Sequence, residues 1–428
     1  MYLGIDFGTS GCRAVVIDEE QAIQAQAAMP LPSPHAVSGS LRQFPQSWIE
    51  ALHGVLRRLS IQINLARIKR IAIDGTSATV LLTNEQGKPL TEALMYNDAS
   101  SVQSVEQIRL HFPQQTHLTM SATSGLAKAL KLCARVTEDH IRILNQADFI
   151  SNLMAGLWGF CDYHNALKLG YDAQNLCWPG WVTHLLPANS LPQVLTPGQP
   201  FGHISESLRK RFGFAADCEV CAGTTDANAA FIAAGADKVG SAVTSLGTTM
   251  VLKILTVQPV SDLDAGVYSH RFGQRWLASG ASNAGAGILR DYFSDQQIAK
   301  LSEQINIHQP SGLDYYPLRS KGERFPINNP QMEARITPRP PSDIVFLQGL
   351  MEGLSRIEKT GYDKLAQLGA GYPDQLLTCG GGAKNRQWQA LREKLLGIPV
   401  SAARHSEACY GSALLAMQSL SEADMITP

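Results

Sequence analysis

The chain of 428 residues has no apolar run approaching the 18 or so that a membrane-crossing helix requires. It also lacks a basic excess, since 36 Lys and Arg meet 37 Asp and Glu for a formal net charge of -1. Nucleic acids and anionic membranes need concentrated positive charge, so neither is an expected partner. The first residues carry neither a charged stretch nor an apolar core of the export type, because strand-forming sequence begins at Tyr2, and a cytoplasmic protein is expected. The eight cysteines are scattered, as in a chain whose thiols stay reduced. One pair, Cys218 and Cys221, has CxxC spacing, but with no second pair and no nearby histidine it is not read as a metal or redox centre. Two familiar phosphate cradles are missing too: there is no GxxxxGK[ST], and no GxGxxG stands between a strand and a helix.

What is present is an ordinary globular composition, 44% hydrophobic and 17% charged, with length enough for two or three domains. Strand and helix patterns alternate. Strands are expected at 2–17 (a hairpin), 68–74, 79–83, 219–223, 245–255, 275–279 and 375–379. Helices are expected at 45–59, 99–110, 127–136, 146–155, 226–235, 284–293, 295–304, 342–368, 387–396 and 411–420. Residues 176–201, rich in proline, read as an irregular connection. The alternation predicts an α/β class with helix-covered sheets. A hinge at 236–240 divides the chain into expected domains 1–236 and 237–428.

Two near-copies of one motif carry the first chemistry. Ile5-Asp6-Phe7-Gly8-Thr9-Ser10-Gly11 and Ser245-Leu246-Gly247-Thr248-Thr249 each read as strand, Gly-hydroxyl turn, strand. Such a turn brings backbone N–H groups and hydroxyls to a phosphate. Asp6, at the end of its strand, is a candidate magnesium ligand, because Mg²⁺ prefers carboxylate and water. The pair suggests a duplicated core gripping one anionic ligand. Gly380-Gly381-Gly382-Ala383 follows a strand and precedes a helix, a place for a nucleotide to press against backbone. Asn385 and Trp388, on the first turn of that helix, suit ribose or base contacts, and a core role for Trp388 is an equal alternative. Asp226, after Gly223-Thr224-Thr225, is a candidate general base, and equally a residue type favoured at a helix N-cap.

Taken together, these residues resemble the FGGY carbohydrate kinases of the actin/Hsp70/sugar-kinase ATPase fold, over nearly the whole chain and in order. Asp6-Phe7-Gly8-Thr9-Ser10 and Ser245-Leu246-Gly247-Thr248-Thr249 resemble the family's two phosphate hairpins. Ser77 stands where the family has its sugar turn, and Tyr96-Asn97-Asp98 is similar to its Trp-Asn-Asp sugar segment. Asp162 with Asn165-Ala166, Gly322-Glu323-Arg324-Phe325-Pro326 and Gly411-Ser412-Ala413 are similar to further family segments. Departures fall on the sugar side: Ser77-Ala78-Thr79 lacks a Gln, Ala99-Ser100 replaces an Arg, and Lys131 replaces an aromatic.

The resemblance implies two ribonuclease H-like domains with an interdomain cleft. It implies ATP and Mg²⁺, with Asp6 serving the metal. Gly8, Thr9, Ser10, Gly247, Thr248, Thr249, Gly380, Gly381, Gly382, Ala383, Asn385 and Trp388 would serve the nucleotide. Ser77, Asn97, Asp98 and Asp226 would hold the sugar, with Asp226 as general base. The expected substrate is a small ketopentose, D-ribulose or D-xylulose, as in the short ribulose- and xylulose-kinase-like members. Another polyol or ketose, or an actin- or Hsp70-like ATPase without an acceptor, is the alternative.

Overall fold

The computed structural model describes residues 1–112 and 117–418, which pack as two compact units. Unit 1 comprises Met1–Ala233 together with the segment from Glu407, and unit 2 is Ala234–Ser406.

Unit 1 is built on an antiparallel meander of Tyr2–Phe7, Gly11–Ile17 and Ile23–Pro30. Arg70–Gly75 lies parallel to the first of these strands, and Glu219–Cys221 lies parallel to Arg70–Gly75. Pro200–His203 closes that edge, and the short strand Thr224–Thr225 also pairs with Arg70–Gly75. The central strands are buried almost throughout, with Leu3, Ile5, Phe7, Ile71 and Ile73 fully excluded from solvent, as parallel strands covered on both faces require. Helix Pro45–Gln62 opens with proline in its first turn and buries Trp48, Ala51, Leu52, Val55, Leu56 and Leu59, a spacing that forms one apolar stripe. Helix Ala408–Met417 packs on Tyr2–Phe7 and Arg70–Gly75. Its approach to the first strand depends on Gly4, where a Cβ would meet the Cys409 carbonyl oxygen at 2.0 Å, while Gly411 lets it pass helix Asp226–Ala234, a Cβ there coming within 1.7 Å of the Ala229 carbonyl oxygen. A second sheet runs His35–Val37, Ser40–Gln43, Ala93–Leu94, Val80–Asn84, Ile141–Asn145, with helix Gly125–Cys133 packed on Val80–Asn84.

Unit 2 repeats the plan. Ser241–Leu246 and Met250–Thr256 form a hairpin extended antiparallel by Arg275–Ser282 and Tyr268–Phe272. Gln375–Cys379 lies parallel to Ser241–Leu246 on the other side, and Val400–Ala402 parallel to Gln375–Cys379. The five central strands therefore share order and direction with those of unit 1, so the duplication suggested by the two hairpins extends to whole sheets. Helices Asp343–Leu365 and Arg386–Leu396 pack on each other, and their cores join those of the strands through Leu347, Leu350, Leu354 and Trp388.

Several expectations are corrected. The stretch 176–201 is not irregular throughout: it contains helix Gly180–Leu185 and strand Gln193–Leu195, which pairs with Phe160–Asp162. The expected helix at 284–293 is a 3₁₀ segment, Ala286–Asp291. The packing division falls after Ala233 rather than after residue 236, and the closing helix belongs with unit 1, where it lies on the first strand over Gly4, at which a Cβ would meet the Cys409 carbonyl oxygen at 2.0 Å. The last two residues of the helix expected at 411–420 lie outside the described residues. No helix among the described residues is long and apolar enough to cross a membrane.

Candidate active site

In unit 1 the chemistry gathers at the carboxyl ends of the parallel strands, where open α/β sheets place their ligands. Register explains the gathering: Asp6 pairs with Asp74, Phe7 with Gly75, and Thr224 with Asp74. Three segments thus leave the sheet side by side. They are the hairpin turn at residues 8–11, the turn at residues 76–79, and helix Asp226–Ala234, which begins directly after Thr225.

The two sheet carboxyls are unequal. Asp74 is fully buried, and burial, then the charge of Asp6, pushes its carboxyl well above the usual range; the 2.6 Å bond donated by Ser412 Oγ opposes this. Its other oxygen meets no N–H or hydroxyl donor. Burial also raises Asp6, while neighbouring Asp74 and Arg13, 3.3 Å away, pull it back down. Nothing in the sequence reading singled out Asp74 or its bond to Ser412; the in-register strand pairing is what joins them. Asp226 is half-buried and accepts the Ala227 N–H at 2.6 Å, so it stands at the helix start as expected, and Asp74 feels its charge.

The hairpin turn is tight. Gly8 donates its N–H to Gly11 C=O at 3.0 Å, so the Gly8 N–H is used within the turn, and the groups left at its tip are those of half-buried Thr9 and exposed Ser10. In unit 2 the Gly247 N–H is used likewise, donated to Thr249 C=O at 3.1 Å, with Thr248 and Thr249 exposed. Gly285, which the sequence reading passed over, backs this second turn: a Cβ there would stand 2.5 Å from the Thr249 carbonyl carbon.

Residues 380–384 leave the strand Gln375–Cys379 beside the second hairpin, with Ser245 paired to Cys379. Gly380 takes φ +84°, and a Cβ there would meet the Leu246 carbonyl oxygen at 2.7 Å, so only glycine fits. Gly380 and Gly381 are exposed, and Gly382 and Ala383 half-buried.

Two neighbouring side chains are engaged within the protein. Asn385 is the N-cap of helix Arg386–Leu396: its Oδ1 accepts the Trp388 N–H at 2.9 Å and its Nδ2 donates to Ser302 Oγ at 2.7 Å. Trp388 is 1% exposed, with its indole N–H on Ser355 Oγ at 3.0 Å, and is therefore a core residue rather than a ligand contact.

On the acceptor side the assignments also divide. Ser77 lies in the turn at 76–79 with its Oγ buried and without a partner, and Asn97 is exposed. Asp98 differs from expectation. Its Oδ2 accepts the Leu41 N–H at 2.6 Å and its Oδ1 accepts the N–H and hydroxyl of Ser100, so both oxygens are engaged in holding the chain. The cysteines of the CxxC pair are both buried, and burial raises each thiol to about 12.

A Gly-hydroxyl turn beside paired strand carboxyls in one unit, and its copy beside a glycine loop in the other, define a phosphotransfer ATPase fold. Residues 1–233 match the N-terminal domain of the FGGY family of carbohydrate kinases, and residues 242–420 its C-terminal domain. The chain belongs to this family and is a carbohydrate kinase, whose phosphate donor is ATP.

Among relatives, a xylulose kinase of Escherichia coli is 23% identical over 93% of this chain and 85% of its own length. A gluconokinase of Bacillus subtilis is 20% identical over 99% and 88%. In structure, the xylulose kinase of Rhodospirillum rubrum superposes with a TM-score of 0.86 at 19% identity, covering 100% of this chain and 94% of that one. Plasmodium falciparum glycerol kinase gives 0.82 at 17% identity, with 96% and 88% covered. These likenesses carry the fold, and the actin/Hsp70/sugar-kinase architecture expected from the sequence is the one observed.

Proposed function

We propose that this kinase transfers the γ-phosphoryl group of ATP to the terminal hydroxyl of a ketopentose, D-xylulose or D-ribulose, with Asp226 as general base. The observation that carries the reading is the position of Asp226. Its strand Thr224–Thr225 pairs with Arg70–Gly75, so its carboxylate emerges at the strand edge that also carries the hairpin turn and the Ser77 turn. Xylulose kinases among the relatives support the ketopentose over other acceptors.

Asp226 accepts the proton of the attacking hydroxyl. A helix N-terminus favours its ionised form and keeps it a weak base. Phosphoryl transfer tolerates this, because the transition state is loose and the proton leaves late. Ser77 and Asn97 orient the sugar. Thr9 and Ser10, and in unit 2 Thr248 and Thr249, offer N–H and hydroxyl donors to phosphate oxygens, while the exposed backbone of Gly380 and Gly381 and the half-buried Gly382 and Ala383 lie against the nucleoside.

Asp6 fits a magnesium ion as one ligand: it is a nearly buried carboxylate, 5% exposed, at the end of its strand, the oxygen type this hard cation prefers. When bound there, Mg²⁺ would neutralise charge on the phosphates.

Asp226→Asn keeps the shape and removes the base. Turnover should fall by roughly 10²–10⁴-fold, with nucleotide affinity unchanged by calorimetry. A coupled ADP assay over pentoses, hexuloses, gluconate and glycerol tests the acceptor. Near-full activity of the Asn variant, or preference for an acceptor outside the ketopentoses, would overturn the corresponding part.

A further inference from the structure

Helix Gly125–Cys133 buries a lysine completely. Lys128 is 0% exposed, and its Nζ donates to three backbone carbonyls: Ala78 at 2.9 Å, Met95 at 2.7 Å and Tyr96 at 2.9 Å. Burial lowers this amine to about 7; in its ammonium form it has three donors and no acceptor, and the cage of three carbonyls satisfies it in full. The carbonyls belong to two separate segments, the turn at 76–79 and the turn at 95–98, which carry Ser77 and Asn97. Apart from the lysine, these turns share few links. Val80 pairs with Leu94, and the Tyr96 N–H bonds Thr79 Oγ1 at 3.0 Å.

One of the gripped residues is itself unusual. Ala78 sits at φ +63°, a left-handed conformation that a non-glycine residue adopts only at an energetic cost. Its carbonyl points at the lysine, so the cage offsets the local strain that shapes the Ser77 turn. Three residues along, on the same helix face, Lys131 donates to Ser40 Oγ at 2.9 Å and to Ser100 C=O at 3.1 Å, and Ser100 in turn bonds Asp98. Burial of a charged amine is expensive, and an unbranched apolar side chain would fill the same space without that cost. The lysine is therefore suited to fixing geometry rather than to raising stability. Its bonds use main chain alone, which leaves the Ser77 hydroxyl and the Asn97 amide to a ligand.

We infer that Lys128 is a positioning residue for the acceptor, stapling the 76–79 and 95–98 turns into one rim and so setting the spacing between Ser77 and Asn97. This rests on the reading that those two residues hold the sugar. Lys128→Met keeps the length and removes all three donors, and Lys128→Gln keeps two of them on a shorter chain. In steady-state kinetics, Lys128→Met should raise the sugar KM by about tenfold or more, with ATP KM and kcat nearly unchanged; Lys128→Gln should fall between it and wild type. Hydrogen exchange of the amides at 77–79 and 95–97 should quicken in both variants, with the rest of the chain unaltered.

Sugar KM equal to wild type in both variants would overturn the inference, as would unchanged exchange at the two turns. Should Lys128→Met fail to fold, Lys128→Gln decides by the same readings. Failure of the underlying reading looks different, because wild-type enzyme would then release no ADP in response to any ketopentose, whatever the variants do.

Discussion

Asp162 is fully buried at the start of helix Tyr163–Ala166, where its Oδ1 accepts the N–H groups of His164 and Asn165 and its Oδ2 accepts Asn165 Nδ2 at 2.6 Å. Burial, then the charge of nearby Asp148, raises its carboxyl to about 8; burial raises Asp148 to about 6. A carboxyl raised in the folded state binds its proton more tightly there than in the unfolded chain. Its contribution to stability is therefore present below about pH 4 and is lost as pH rises through about 8. Asp162→Asn removes this titration, and the Oδ1 of Asn165, which meets no donor, lets that amide rotate to accept the new one. Between about pH 5 and about pH 9 the variant should lose less Tm than wild type; equal slopes would refute the assignment.

At this scale the sequence discloses residue types better than their partners. Asp6 and Asp226 are found at a strand end and a helix start as their local patterns indicate, and Ser77 lies in a turn as the resemblance implies. Asp98 and Asn385 have the right chemistry for ligands, yet their oxygens and amides are taken by Leu41, 57 positions away, and Ser302, 83 away. Those partners are set by tertiary packing, which no local pattern encodes. The lysine cage around Lys128 is hidden for the same reason.

Elements with their own strong local signals are legible. Helix 146–155 and strand 375–379 occur at the expected bounds, because the first has a capping box at Asn145 and Asp148, and the second an apolar β-rich run ended by glycines. Strand Ile23–Pro30 escaped notice because it is an edge, largely exposed, with alanine and glutamine in place of a clear alternation. The paired elements also make quantitative demands. Helix Ala408–Met417 approaches the Ala229 backbone so closely that Gly411→Ala must displace main chain, and should cost about 3 kcal/mol or more in denaturant unfolding. In unit 2, Arg392 on helix Arg386–Leu396 makes two 2.6 Å bonds to Glu358 on helix Asp343–Leu365, with both side chains buried. Glu358→Ala strands the guanidinium and should destabilise by roughly 3–5 kcal/mol, read as a shift in the urea midpoint.

At the scale of the molecule, the duplicated sheet was foreshadowed by the two hairpins, whereas the chain's return into unit 1 was not, since an alanine-rich helix carries no mark of which sheet it covers. Unit 2 is one continuous stretch with its own core, and unit 1 is interrupted by it. Residues 234–406 expressed alone should melt cooperatively, while a chain ending at residue 406 should keep that transition and lose the one belonging to unit 1, seen as a missing calorimetric peak.

The same interruption sets an order of events on the ribosome. Synthesis runs from the first strand onward, yet the face of that strand stays uncovered until the helix beyond Glu407 has left the exit tunnel. At translation speeds of about 5–20 residues per second, the nascent chain carries this bare apolar sheet for many seconds, long enough for chaperones to engage it. The half encoded second is thus the half expected to mature first.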